Sequence, residues 1–388
     1  MKTRRLQTVL LLLFIMVRAY ASAFDYRPTP LSKSIADHDV IVLGVVESKQ
    51  GERAKVRIVQ VIKGDAQIGT FDLPAVWRPN TQETYGPIAL MPPGKYMLML
   101  KKREGVFDLS SDFASKAVHQ ILGEKDPFIR VAQTLWDLQE SPTRIQKERV
   151  LAAAYSALDA SARSMLIEDF IATSQPDVAT VPFLIRCVEE GPDMDETASC
   201  AARAISRYHY TEAVPCLLHG LQKRKGPVLV LAHALAEMKV RDAYDPIMKL
   251  IRDESVGNRP YFIEALATLE DERSIPYLLE TLHRNLKDLD PKKDTYRSWS
   301  VQENEFAAWG LGRLKTPQAV PALIQILARP EYDKLRNNAV VALGQIGPAA
   351  KTAVPVLRRL MENVEAENGS FHHFAMEAMK AIQGAEIR

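Results

Sequence analysis

Between residues 319 and 347, AVPALIQILARPEYDKLRNNAVVALGQIG, the apolar positions Val320, Leu323, Ile324 and Leu327 recur at helical spacing. Pro321 falls in the first turn of that stripe, where a missing backbone N–H costs nothing, so a helix is predicted to start there. Pro330 and the polar run from Glu331 to Arg336 interrupt it. Ala339, Val340, Leu343 and Ile346 then form a second stripe, closed by Gly347 and Pro348, a capping glycine followed by a helix breaker.

The opening proline returns at Pro182, Pro215, Pro246, Pro276, Pro321 and Pro355, at spacings of 33, 31, 30, 45 and 34 residues. The second stripes return as small-then-apolar pairs: Ala204-Ile205, Ala234-Leu235, Ala265-Leu266, Gly310-Leu311, Ala342-Leu343 and Ala378-Met379. Two interleaved ladders with one period predict stacked helix pairs, each burying its apolar face against its neighbours.

Towards the N-terminus the period changes to two. Val40–Glu47, Ala54–Lys63, Thr70–Trp77, Lys95–Lys101 and Val106–Leu109 are β-rich runs, separated by turn signals at Gln50-Gly51, Lys63-Gly64-Asp65 and Pro92-Pro93-Gly94. Five short strands in about 75 residues suggest a small barrel. Helical periodicity begins after Asp112. Asp126-Pro127 caps and opens a linking helix, and Pro142-Thr143 starts a pair running to about Thr173, read as an atypical first repeat.

Residues 1–23 stand apart: Lys2, Arg4 and Arg5, an apolar core from Val9 to Val17, then Ala21-Ser22-Ala23. This is the pattern of a secretory signal peptide, with an apolar run too short to span a bilayer. The expectation is an exported chain, periplasmic or secreted, with no stable membrane insertion after cleavage. The formal net charge is +2, but the leader holds four basic residues and no acid, so removing it leaves 46 basic against 48 acidic residues. A nearly neutral chain without a basic stripe argues against a nucleic-acid partner. The expected domains are the leader at 1–23, the barrel at 24–122, the linking helix at 123–143 and the helical array at 144–388.

The AVPALIQIL and AVVALGQIG wording resembles HEAT repeats, and is similar to the short HEAT-like variety found in phycobilisome-lyase relatives. That resemblance implies an α-α superhelix, a binding and scaffolding role for a protein or peptide partner, and, as an alternative, an enzyme or chaperone-like lyase. The strand rhythm ADHDVIVLGVVES, AKVRIVQVIKGD and PPGKYMLML resembles the netrin-like barrel of tissue inhibitors of metalloproteinases, an OB-type fold. It implies a second alternative, a protease-directed inhibitor. Those inhibitors act through an N-terminal cysteine, and residues 24–122 contain none.

For chemistry the chain offers little. No GxSxG elbow, HExxH pair, phosphate-cradling loop or dinucleotide fingerprint occurs, so no catalytic residue, cofactor or metal site is assigned. Cys187 and Cys200 lie equally far either side of a predicted hairpin turn, so they either bridge in an oxidising compartment or stay as small buried apolar residues. Between Pro276 and Pro321 the long step holds a polar insertion, His283 to Asn304, expected to loop out at one edge. Its Tyr296, Arg297 and Trp299 are candidate interaction residues, of types favoured at interface hot spots. Alternatively Trp299 folds back onto Trp309 or its own repeat.

Overall fold

The computed structural model describes residues 30–50, 53–66, 69–74, 94–103, 106–109, 118–121, 126–172, 177–190, 196–288, 298–362 and 369–384. The leader expected at 1–23 lies outside them, as do Tyr296 and Arg297. The chain divides into two compact units, Met1–Thr180 and Val181–Arg388. The helices read as a linker and a first repeat therefore group with the sheet.

In the first unit a short helix α1 (Leu31–Asp37) leads into β1 (Val40–Gln50), β2 (Arg53–Lys63), β3 (Thr70–Pro74), β4 (Gly94–Arg103), β5 (Val106–Leu109) and β6 (Val118–Ile121). Every pairing is antiparallel, in the order β3-β2-β1-β4-β5, with β6 also on β4. The three long strands β1, β2 and β4 carry the core: Val40, Val42, Val56, Ile58, Leu98 and Leu100 pack together on one face. Ile41, Leu43, Met97 and Met99 are buried on the other, as alternation along a strand requires.

The expected OB-type barrel is not shown by the described residues. Among the described residues no ladder joins β3 to β5 or β6, and the sheet is open. Strand rhythm fixes alternation but not closure, which depends on tilt and stagger between strands. The turn that carried the barrel resemblance has a local cause: Gly64 has φ +82°, and a Cβ there would strike the Asp39 carbonyl.

Helices α2 (Pro127–Gln139), α3 (Arg144–Ala157) and α4 (Ala160–Ala172) complete this unit. Asp126 caps α2 by accepting from the Phe128 N–H, and Thr143 with Gln146 forms a capping box on α3. Lys63 ties β2 to α1, its Nζ donating to the Ile35 carbonyl at 2.7 Å, and lies 4.9 Å from the centre of the Trp136 ring on α2.

The second unit alternates first helices α5 (Val181–Glu190), α7 (Val214–Lys223), α9 (Tyr244–Arg252), α11 (Ile275–Asp288), α13 (Val320–Leu327) and α15 (Val354–Glu362) with second helices α6 (Glu196–Tyr208), α8 (Val228–Glu237), α10 (Arg259–Leu269), α12 (Trp299–Arg313), α14 (Asp333–Ile346) and α16 (Gly369–Gln383). Each ladder proline sits in the first turn of a first helix, as expected. A 3-10 turn precedes most of them and ends on a small buried residue: Ala213, Ala243, Ser274, Ala319 and Ala353. Leucines and isoleucines of the two stripes fill the space between layers, among them Leu217, Ile247, Leu278, Leu311, Leu323 and Leu343.

Candidate protein-binding face

Each second helix packs along the next, from α6 to α16, more extensively than the first helices pack on one another. Small residues bring the backbones together. A Cβ on Gly310 would stand 2.6 Å from that of Ala267, one on Gly312 would stand 2.6 Å from the Ala342 Cα, and one on Gly344 would stand 2.9 Å from the Ala378 Cα. The second helices therefore form the more closely packed layer of the stack.

On the outward side of that layer, equivalent positions recur four residues before the small residue of the last five pairs, the position before Ala204 being the buried Cys200. They hold Val230, Tyr261, Phe306, Asn338 and Phe374. Tyr261 is 42% exposed and the others are half-buried. The Tyr261 and Phe306 rings lie 6.2 Å apart, tilted, in the range of a favourable aromatic pair. One turn further along come His233, Glu264, Trp309 and Val341. The His233 Nε2 is 4.0 Å from Glu264, whose carboxyl is pushed up by burial against the pull of His233 and Lys334. Arg313 lies 5.0 Å from the centre of the Trp309 ring and pairs with Glu270, which Lys239 approaches at 3.1 Å.

The expected polar loop from His283 to Asn304 is partly helix. Residues 283–288 end α11, and Trp299 to Asn304 form the first turns of α12. Glu303, Asn304 and Glu305 are buried there. The Glu303 carboxylate, 1% exposed, accepts from Arg259 Nε at 2.6 Å, with Arg284 at 4.0 Å, while Glu305 meets Lys334 Nζ at 2.7 Å. Glu303 and Asn304, inside the expected loop, and Glu305 just after it are therefore buried, and the two glutamates find their charge partners on neighbouring helices.

Of the candidate interaction residues, Trp299 opens α12 and is 53% exposed, so it does not fold away against Trp309. Cys187 and Cys200, with Cys216, are buried thiols, and the Arg203 Nη2 lies 3.0 Å from the Cys200 Sγ. Burial pushes the Cys216 thiol up to about 12, which leaves it inert at neutral pH. Among the described residues no cluster of histidine, cysteine and carboxylate side chains could hold a metal ion.

Sequence reasoning missed Tyr261, Phe306 and Glu264. Their signal was present, since Tyr261 and Phe306 stand at one offset from Ala265 and Gly310 in the marker ladder. On the opposite layer a shallow depression of about 320 Å³ is lined by Arg224, Asp245, Met248, Lys249, Arg252 and Asp253. Its clearest contact is internal, Arg224 to Asp253 at 2.6 Å.

No curated protein matches the chain. Residues 295–367, which span α12 to α15, match the family model of HEAT repeats, and the helix pairs stacked on either side of that stretch are consistent with a helical array of the same kind.

Proposed function

We propose that the chain is an exported scaffold, periplasmic or secreted, that takes a protein or peptide partner on the outward side of its second-helix layer. HEAT repeats commonly mediate protein–protein contacts, and the charge balance outside residues 1–23 supports a partner other than nucleic acid. The observation that carries the reading is the row of aromatic side chains kept partly exposed there, Tyr261 and Phe306 with Trp299 at the head of the same helix as Phe306. Aromatic anchors of this kind dominate the energetics of protein interfaces.

The test is a crosslinking pull-down from the exported fraction, comparing the full chain with a Tyr261→Ser, Trp299→Ser double variant. A partner that the full chain captures and the variant loses, with the variant's melting curve unchanged, is the expected result. Capture by both alike would move the contact off this face. Mass spectrometry of the exported chain, expected to start at Phe24, tests the leader separately.

A further inference from the structure

The face described above also has a chemical preference. Tyr261 and Glu264 are one helical turn apart on α10 and so share a face, and Phe306 of α12 lies beside Tyr261. A half-buried carboxylate thus lies one turn from Tyr261, whose ring pairs with that of Phe306. Its neighbouring cations do not satisfy it: His233 reaches only 4.0 Å, and Lys334 is held by Glu305 at 2.7 Å. On the neighbouring second helices the apolar residues Val230, Trp309 and Val341 stay half-buried.

We propose that this face recognises a partner segment bearing a basic side chain between apolar ones, with Glu264 receiving the cation and Tyr261 and Phe306 flanking it. Rings of this kind attract an ammonium or guanidinium through their negative faces, and Arg does so more often than Lys. The carboxylate supplies the charge-assisted hydrogen bond. Desolvation of Glu264, which holds its carboxyl above the usual range, is the cost that an incoming cation offsets. An acidic segment would meet the opposite sign at the centre of the face. The proposal rests on the reading of this layer as the binding surface, and adds to it the charge of what binds.

The experiment is selection of a phage-displayed random nonapeptide library on the full chain and on its Glu264→Lys variant, with Glu264→Gln as the near-isosteric control for folding. On the unaltered chain the enriched peptides are expected to carry Arg or Lys between aliphatic or aromatic residues. On Glu264→Lys that enrichment should disappear. A selected peptide, fluorescein-labelled and followed by anisotropy, should bind the Glu264→Gln chain about tenfold more weakly, and its arginine-to-citrulline analogue should bind the unaltered chain more weakly by a similar factor. Enrichment of apolar peptides without basic residues, abolished by Tyr261→Ser, would overturn the charge preference while leaving the binding face intact. Basic peptides enriched equally on Glu264→Lys, or no enrichment on the unaltered chain, would also overturn it.

Discussion

Four second helices end on a residue with left-handed backbone that is not glycine: His209, Lys239, Glu270 and Lys315, at φ values of 53°, 58°, 56° and 48°. After three of them the next N–H bonds five residues back, from Tyr210 to the Ile205 carbonyl, Val240 to Leu235 and Thr316 to Leu311, the Schellman pattern of a helix end. A side chain in that conformation costs about 1 kcal/mol against glycine. Lys315 is exposed, so Lys315→Gly is expected to raise the melting temperature by a few degrees, and a lower one would contradict the backbone argument. A glycine marks the end of a second helix only after α14, at Gly347, and after α16, at Gly384. Elsewhere the neighbouring helices impose the turn against residue preference, and no single-sequence cue marks it. Asn304 is a second residue-scale case. It is fully buried, and neither atom of its amide has a hydrogen-bond partner among the described residues. Asn304→Leu is therefore expected to stabilise by roughly 1 kcal/mol in denaturant titration, and a loss would show that the amide has a partner in solution. The three cysteines are buried thiols in the structure. A thiol reagent should find none in the native protein and all three in denaturant, whereas one alone in denaturant would reveal the bridge between Cys187 and Cys200 that their spacing allowed.

At the scale of elements, the two marker ladders translate directly into helices: prolines open the first, and small residues set the approach of the second. What stayed hidden is the polar fastening between units of the stack. Asp271 is almost fully buried. Its carboxylate accepts from the Arg273 N–H at 3.0 Å, pairs with the Arg273 guanidinium at 2.8 Å and lies 3.5 Å from Arg241 of the preceding turn. Hydrogen bonding to Arg273 holds its carboxyl below the ordinary range. A depressed carboxyl contributes stability that is full above its unfolded pKa, about 3.9, and is lost as pH falls through the folded value. The melting temperature of Asp271→Asn should thus fall below that of the unaltered protein at neutral pH and converge with it below about pH 4. A gap that stays constant from pH 7 to pH 2.5 would refute the electrostatic account. The same kind of pairing explains why Glu303 was misread and why the burial of Glu305 was not foreseen. A run of Gln-Glu-Asn-Glu is polar in any one-dimensional pattern, and only the register of α10, α11 and α14 brings Arg259, Arg284 and Lys334 to it. The open sheet belongs here too: its strands were legible from alternation, but closure is a property of the whole set, not of any one strand.

Over the whole molecule, the account joins a sheet-bearing unit and a stack of HEAT-type helix pairs in one chain, each with its own core. The repeat array was legible because its period is written twice, in prolines and in small residues. The proposed binding face was only half legible. Trp299 stood out by composition, whereas Tyr261 and Phe306 belong to helices whose stripes read as ordinary core, and only the stacked layer shows which of their apolar residues remain outside. The central claim is that a partner meets the chain on this face. The most direct measurement places a photo-crosslinking residue at position 261 and, in a separate variant, at the exposed Gln325 on the first-helix layer, then irradiates the protein in the producing cell. The account expects a discrete protein adduct from position 261 and none from position 325. Adducts of equal yield from both positions, or from 325 alone, would contradict it.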